Sequence, residues 1–421
     1  MMISLNYSCA GVGAHQAYQR QQKRKNNYAH QACRDAQRAT VFTSSLHPDT
    51  KIMKREYVKY DLYPVRHAKN ASTEEVRKTH PTPEEFEAAE TALLDRGQFT
   101  LIKDGRLVLY EKDVSVLKPG EKRKHKFIAY IEFTSSAYLT TEDGPHKLST
   151  IQLENLSFLS HFLFQCRNYI STVQSVAKIF RGYMWTIGWR KSQTEGEMAG
   201  RYVDTGKISS DAFYYMENLM EAFRAGDIIH DLFHSIADTA VLGMKTLLKN
   251  CNLPGFNHLN LGNTPVDTDM ASNLAFTMNE FSNRPHNDSD VSKHAFLFLT
   301  NVDKNTGEIQ LNSHLDPSFQ GPFFVFPDHR VAVDLRKLDG ICRIVFAAGE
   351  FRHCTHNNQP THKKLTSMGF SLQITKSCVD AFKKICNGFY DGKLTKSGKE
   401  YYIGDCSHTL KKIKEDHKKN L

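Results

Sequence analysis

The stretch Asn283-Arg284-Pro285-His286-Asn287-Asp288-Ser289-Asp290 sets the reading of this chain, together with a later one that runs from Gly340 through Ile341-Cys342-Arg343-Ile344-Val345-Phe346 to His353-Cys354-Thr355-His356. Strand residues alternate between faces, so His286 and Asp288, if on a strand, point the same way. One imidazole and one carboxylate are half of a familiar donor set. Two histidines and a carboxylate on one side of Fe(II) leave further positions open for a co-substrate and O₂. The second histidine has to come from a distant strand. The later stretch supplies it: a buried strand, a glycine turn at Gly349, then His353. His356 is the alternative, three residues on and leading into the polar Asn357-Asn358-Gln359-Pro360; His353 is preferred because it follows directly on strand and turn.

Outward from these stretches, residues 256–380 carry short apolar segments separated by Gly, Pro, Asn and Asp. Leu274-Ala275-Phe276, Phe323 to Phe326, Val331 to Val333, Ile341 to Phe346 and Phe370 to Ile374 are among them. Many short strands at this spacing predict a sandwich or barrel. Residues 149–255 have helical spacing, with Leu156, Leu159, Phe162 and Leu163 on one face, and Phe213, Met216, Leu219, Met220 and Phe223 on another. They are expected to form a helical layer supporting that core. Residues 51–148 read as a strand-rich extension. Within it Thr82-Pro83-Glu84-Glu85 marks a helix start, and Phe99 to Tyr110, turning at Asp104-Gly105, reads as a β-hairpin. Residues 1–50 form a basic, Gln/Asn-rich, flexible arm, and 381–421 a basic C-terminal extension.

The 40% hydrophobic content is that of a folded globular protein. No apolar run approaches the roughly 18 residues of a membrane helix, and the start predicts no secretory signal. Nine cysteines, an odd number with no C-x-x-C pair, argue for a reducing compartment rather than a disulfide framework. The net charge of +9 favours a polyanionic partner. Much of the excess sits in the arm, in Lys122-Arg123-Lys124-His125-Lys126 and in the tail from Lys411 to Lys419, clusters that also suit nuclear import. His230-Asp231-Leu232-Phe233-His234 lacks the glutamate of a zinc hydrolase motif and is read as a helix face. Gly11-Val12-Gly13 is not followed by the third glycine of a dinucleotide fingerprint.

Several separate blocks, in order, resemble the TET/JBP family of 2-oxoglutarate- and Fe(II)-dependent dioxygenases, most nearly its fungal branch. They are Pro285 to Asp290, Gly321-Pro322-Phe323-Phe324-Val325-Phe326-Pro327-Asp328, His353-Cys354-Thr355 and Gly369-Phe370-Ser371-Leu372-Gln373-Ile374. Upstream, Gly188-Trp189-Arg190-Lys191 and Gly200-Arg201-Tyr202-Val203 are similar to fungal members. The resemblance implies an α+β protein with a double-stranded β-helix (jelly-roll) core and helices packed outside it. It implies Fe(II) held by His286, Asp288 and His353, and oxidation of methyl groups on DNA bases, 5-methylcytosine or N6-methyladenine, or on RNA bases, with 2-oxoglutarate converted to succinate and CO₂. A duplex target would leave the base stack to reach the metal. The family usually places an arginine beyond the distal histidine to pair with the far carboxylate of 2-oxoglutarate; here Ser367 or Gly369 falls there. Lys363, Lys364 and Arg343 are the nearest cations, and Ser371 offers a hydroxyl. Phe276, Asn279 and Phe281 are candidates for the substrate side. Nothing in the sequence points to a membrane or identifies a protein partner, and nuclear residence is expected. Two other functions fit the same residues: a catalytically weakened nucleic-acid-binding protein on this fold, and an oxygenase acting on a protein or small molecule.

Overall fold

A computed structural model describes residues 46–63, 80–114, 125–135, 148–173 and 178–419. The basic arm up to residue 45 and the cluster Lys122-Arg123-Lys124 lie outside the described residues. In chain order the elements are β1 (Lys51–Arg55), α1 (Pro83–Leu94), β2 (Thr100–Ile102), β3 (Arg106–Glu111), β4 (Lys126–Thr134), α2 (Thr150–Cys166), β5 (Ile179–Lys191) and β6 (Glu197–Arg201). Then follow α3 (Thr205–Ser209), α4 (Ala212–Met220), α5 (Ala222–Asn250), β7 (Asn273–Asn283), β8 (Ala295–Asp303), β9 (Phe323–Phe326) and β10 (Val331–Asp334). The last are β11 (Ile341–Phe346), β12 (Cys354–His356), β13 (Leu365–Gln373), α6 (Lys376–Cys386), β14 (Tyr402–Gly404) and α7 (Cys406–Lys419).

Two sheets face each other. The larger runs β1-β3-β4-β11-β8-β13-β7-β5-β6-β14 and the smaller β12-β9-β10-β2. From β7 onward the chain passes back and forth between them. It leaves β7 for His286, which bridges to His353 beside β12, returns for β8, crosses to β9 and β10, returns for β11, crosses to β12 and closes on β13. That winding is a double-stranded β-helix. Every residue of β11 is buried, as a central strand covered on both faces requires. Its inward side chains Cys342, Ile344 and Phe346 fill the space between the sheets with Leu107, Leu109, Phe324 and Val333. Each large apolar side chain buried there contributes roughly 1.5–3 kcal/mol.

The outer face of the large sheet carries the helices, which makes the whole α+β. Phe276, Phe296, Phe298 and Phe370 pack against Leu156, Leu159 and Leu163 of α2 and Phe233 and Val241 of α5. Helix α1 starts where the sequence places it: the Thr82 hydroxyl accepts from Glu85 N–H at 3.3 Å, the Glu85 carboxylate accepts from Thr82 N–H at 3.0 Å, and Pro83 opens the helix. Helix α5 kinks at Ala237 (φ −159°, ψ 58°).

Three expectations are corrected. The stretch Phe99 to Tyr110 turns at Gly105 (φ +72°) but is not a hairpin. Strand β2 joins the small sheet, parallel to β10, while β3 joins the large one between β1 and β4. A two-stranded ribbon is marginal by itself; extending two sheets and burying Ile102, Leu107 and Leu109 in one shared core outweighs it. Residues 149–255 are not helical throughout, because β5 and β6 lie within them and β5 pairs with β7 over most of its length. On α4 the apolar stripe is rotated from the predicted face: Tyr215 and Leu219 are buried, whereas Phe213 and Met220 are exposed.

The C-terminal segment is part of the fold. Phe382 of α6 meets the Trp189 ring edge-on at 5.7 Å, β14 pairs parallel with β6, and Ile413 of α7 is buried among Tyr169, Ile208 and Tyr215. Among the described residues no helix is long and apolar enough to cross a membrane.

Candidate metal centre

The two histidines are held by the backbone before any side chain is considered. His286 N–H donates to His353 O, and His353 N–H donates back to His286 O, both at 3.0 Å. Asp288 N–H donates to Ala348 O at 3.0 Å, and the Asn283 side chain accepts the N–H of Thr355 at 2.7 Å. Residues 283–288 and 348–355 are thereby laced into one antiparallel ribbon. Alternation then brings His286, Asp288 and His353 to one side of it.

One donor atom from each of the three lies within 4.8 Å of the others, the only such grouping among the described residues. His286 Nε2 is 3.3 Å from Asp288 Oδ1, His353 Nε2 is 3.7 Å from Asp288 Oδ2, and the two ring centroids are 4.7 Å apart. Each imidazole turns its other nitrogen to a carbonyl: His286 Nδ1–H to Arg284 O at 2.8 Å, His353 Nδ1–H to Phe351 O at 3.1 Å. Those bonds fix the tautomer and leave both Nε2 lone pairs facing Asp288, the arrangement metal-binding histidines need.

The electrostatics agree. Burial pushes His353 down to about 4, against the opposing pull of Asp288, so the ring is a neutral donor at pH 7. Burial works to raise the Asp288 pKa, but the His286 hydrogen bond and the charges of His353, His286 and Lys178 hold it below the usual carboxylate value. Asp290 behaves oppositely: burial and the neighbouring Asp288 push it up to about 8, leaving Asp288 as the ionised carboxylate of the pair. Two imidazoles and one carboxylate fit Fe(II).

The cluster opens onto a cavity of about 730 Å³ between the sheets. Leu297, Leu299, Phe324 and Phe346 form apolar walls. The strand pairing puts small and hydroxyl side chains on the floor, with Thr277 beside Gly369 and Ala275 beside Ser371.

Of the residues singled out in the sequence, His286, Asp288, His353, Phe281 and Ser371 line this cavity. The rest do not. His356 is fully buried on the opposite face of β12, hydrogen-bonded to Tyr63 and stacked on Phe86 at 5.7 Å, as alternation along Cys354–His356 dictates. Lys363 and Lys364 are exposed on the loop before β13 and do not border the cavity. Arg343 faces outward between the inward Cys342 and Ile344. It pairs with Glu132 and donates to Leu232 O at 2.7 Å and Ser235 Oγ at 3.1 Å. Phe276 also faces outward, stacked on Trp185 at 5.5 Å. Asn279 sits at a bulge with φ +62°, its N–H bound to Thr366 Oγ1 at 2.8 Å, and does not border the cavity.

Lys178, Arg190, Thr277, Ser367 and Gly369 line the cavity without having been named as its residues. The last three were open to inference, since they share a strand face with predicted cavity residues. Arg190 on β5 and Lys178 just before it were hidden because that strand, despite its run Tyr183-Met184-Trp185-Thr186-Ile187-Gly188-Trp189, lies in a region read as helical.

A family model described as the Tet-like 2OG-Fe(II) oxygenase superfamily matches residues 149–358. Curated protein sequences gave no match. Among solved structures, the chain is similar to NgTET1 in complex with 5mC DNA at 12% identity and a TM-score of 0.36, covering 82% of this chain and 100% of that one. It is also similar to the dioxygenase for auxin oxidation 1 of Arabidopsis thaliana, solved with 2-oxoglutarate, at 10% identity and a TM-score of 0.25, covering 77% and 92%.

Proposed function

The chain belongs to the Tet-like 2OG-Fe(II) oxygenase superfamily, and on that premise we propose that it oxidises methyl groups on nucleic-acid bases, methylated DNA first among them. The observation that carries the reading is the His286, Asp288 and His353 cluster on the wall of a deep cavity. Fe(II) and 2-oxoglutarate are the cofactor and co-substrate of this oxygenase class. When bound with O₂, they supply the oxidation of a C–H bond while 2-oxoglutarate becomes succinate and CO₂.

The protein's own contribution is positioning and exclusion of water. His286, Asp288 and His353 would hold the metal at the wall of the cavity. The Arg284 and Phe351 carbonyls keep both imidazoles in the binding tautomer. Leu297, Leu299, Phe324 and Phe346 keep the surroundings apolar. The nucleic-acid substrate is supported by the net charge of +9, and nuclear residence by the run Lys122-Arg123-Lys124-His125-Lys126.

A second reading, a nucleic-acid-binding protein without turnover, is favoured by one observation: Ser367 and Gly369 line the cavity where an arginine was expected. Incubation with Fe(II), 2-oxoglutarate and oligonucleotides carrying 5-methylcytosine or N6-methyladenine, as DNA and as RNA, separates the two. Mass spectrometry should find succinate and oxidised base together. Tight oligonucleotide binding without succinate would establish the second reading, and succinate without base oxidation would assign the oxygenase another substrate.

A further inference from the structure

2-Oxoglutarate is a dianion. One carboxylate and the adjacent keto oxygen suit the metal; the other, across a short carbon chain, has to enter the cavity still charged. Burying an unpaired carboxylate is costly, so a cation or several free donors must meet it.

The cavity end built from Leu299, Pro322, Phe324, Thr277, Ser367 and Gly369 holds no charge, and its hydroxyls are engaged. Ser367 Oγ donates to Asn301 Oδ1 at 2.7 Å, and Thr277 Oγ1 to Gly369 O at 3.5 Å. Two cationic side chains line the cavity among the described residues, Arg190 and Lys178. Arg190 is nearly saturated. Its Nη1 and Nη2 donate to the two Glu197 oxygens at 2.5 and 3.0 Å, its Nε to Arg201 O at 3.0 Å, and Nη1 also to Lys191 O at 3.1 Å.

Lys178 is different. It is an exposed residue at the cavity border whose ammonium has no hydrogen bond or ion pair among the described residues, while its backbone is pinned beside the metal cluster. Lys178 O accepts the N–H of Arg284 at 2.8 Å, and the next residue, Ile179, is in register with Asn283. Charge balance points the same way: Fe(II), the Asp288 carboxylate and a 2-oxoglutarate dianion leave one net negative charge, which one lysine cancels.

We propose that Lys178 takes the place of the missing arginine and anchors the far carboxylate of 2-oxoglutarate; this rests on the oxygenase reading above. Lysine binds such a group as a point charge rather than a fork, so the site tolerates some variation in where the carboxylate lies.

The test uses the full-length protein loaded with Mn(II), without turnover. Calorimetry measures binding of 2-oxoglutarate and of 2-oxopentanoate, which has a methyl group in place of the far carboxylate. Electron paramagnetic resonance measures Mn(II) occupancy. K178A should weaken 2-oxoglutarate binding roughly 10- to 100-fold, as loss of a charge-assisted bond implies. It should leave 2-oxopentanoate binding and Mn(II) occupancy unchanged, and K178R should retain most of the affinity. Unchanged 2-oxoglutarate affinity in K178A, or equal losses for both acids, overturns the anchor while the oxygenase reading stands. Failure of the wild-type protein, with Mn(II) bound, to take up 2-oxoglutarate overturns both.

Discussion

Replacing Arg343 with methionine should weaken the fold and leave co-substrate binding alone. Arg343 lies on β11, a strand of the catalytic core, but its side chain points away from the cavity. It joins a buried network in which Glu132 is shared by Arg343 and Arg106, the latter at 2.8 Å, and accepts from Tyr130 OH at 2.6 Å. Removing one partner of a buried ion pair costs about 3–5 kcal/mol. In Arg343→Met the Glu132 carboxylate keeps Arg106 and Tyr130, which sets the loss near the lower limit, about 3 kcal/mol. Glu132→Gln strips the charge from between two buried guanidiniums and belongs near the upper limit, about 5 kcal/mol. With an unfolding entropy of about 2.1 cal/mol/K per residue over about 330 described residues, those losses lower Tm by roughly 4 and 7 °C. Differential scanning calorimetry gives Tm, and titration of Mn(II)-loaded protein gives 2-oxoglutarate affinity. An Arg343→Met protein with wild-type Tm and weakened 2-oxoglutarate binding would refute the reasoning and return Arg343 to the site.

Three further outcomes follow from the geometry. His353→Ala should lower metal affinity by at least about 100-fold; His356→Ala should keep its metal and lose about 3 kcal/mol of stability, because its ring fills a core beside Tyr63 and Phe86. Metal analysis after dialysis, with Tm alongside, distinguishes them, and a metal-free His356→Ala protein would reverse the assignment. Burial pushes both His294 and His356 down to about 3. The unfolded chain, with histidines near 6.5, therefore binds protons that the folded chain refuses, so stability is complete above about pH 6.5 and falls as pH drops toward 3. At pH 5 each histidine costs about 2 kcal/mol; a Tm equal at pH 7.5 and pH 5 would contradict the burial of both rings. Ser371→Phe, facing the cavity beside Ala275 and Leu297, should block 2-oxoglutarate uptake while metal binding persists. Uptake at wild-type affinity would mean the co-substrate lies elsewhere.

The proposed metal ligands were legible because period-two alternation is local: His-x-Asp on an extended segment has one geometry, and the glycine turn ahead of His353 is visible in the letters. The strands from Leu274 to Ile374 were legible for the same reason. Features set by distant partners were not. The sequence around Gly105 is that of a turn, but which strand each arm joins depends on the open edges of β4 and β10, far along the chain. Arg343 looked available because nothing adjacent reveals that Glu132 lies on the neighbouring strand, in register with it. Lys178 was invisible as a cavity residue until β5 was seen to extend the large sheet beyond β7.

The reciprocal hydrogen bonds between His286 and His353 also bear on how this protein can change. Those residues are far apart along the chain, yet they form a single rung, and the rung is closed by main-chain groups that only a proline would remove. The long excursion between β8 and β9, residues 304–322, begins and ends outside that rung. Its length and composition can drift, reshaping the cavity border at Pro322, without pulling the two imidazoles out of alignment. The alignment of the two imidazoles is in this way set by main-chain pairing in one part of the chain, and the cavity border at Pro322 by another.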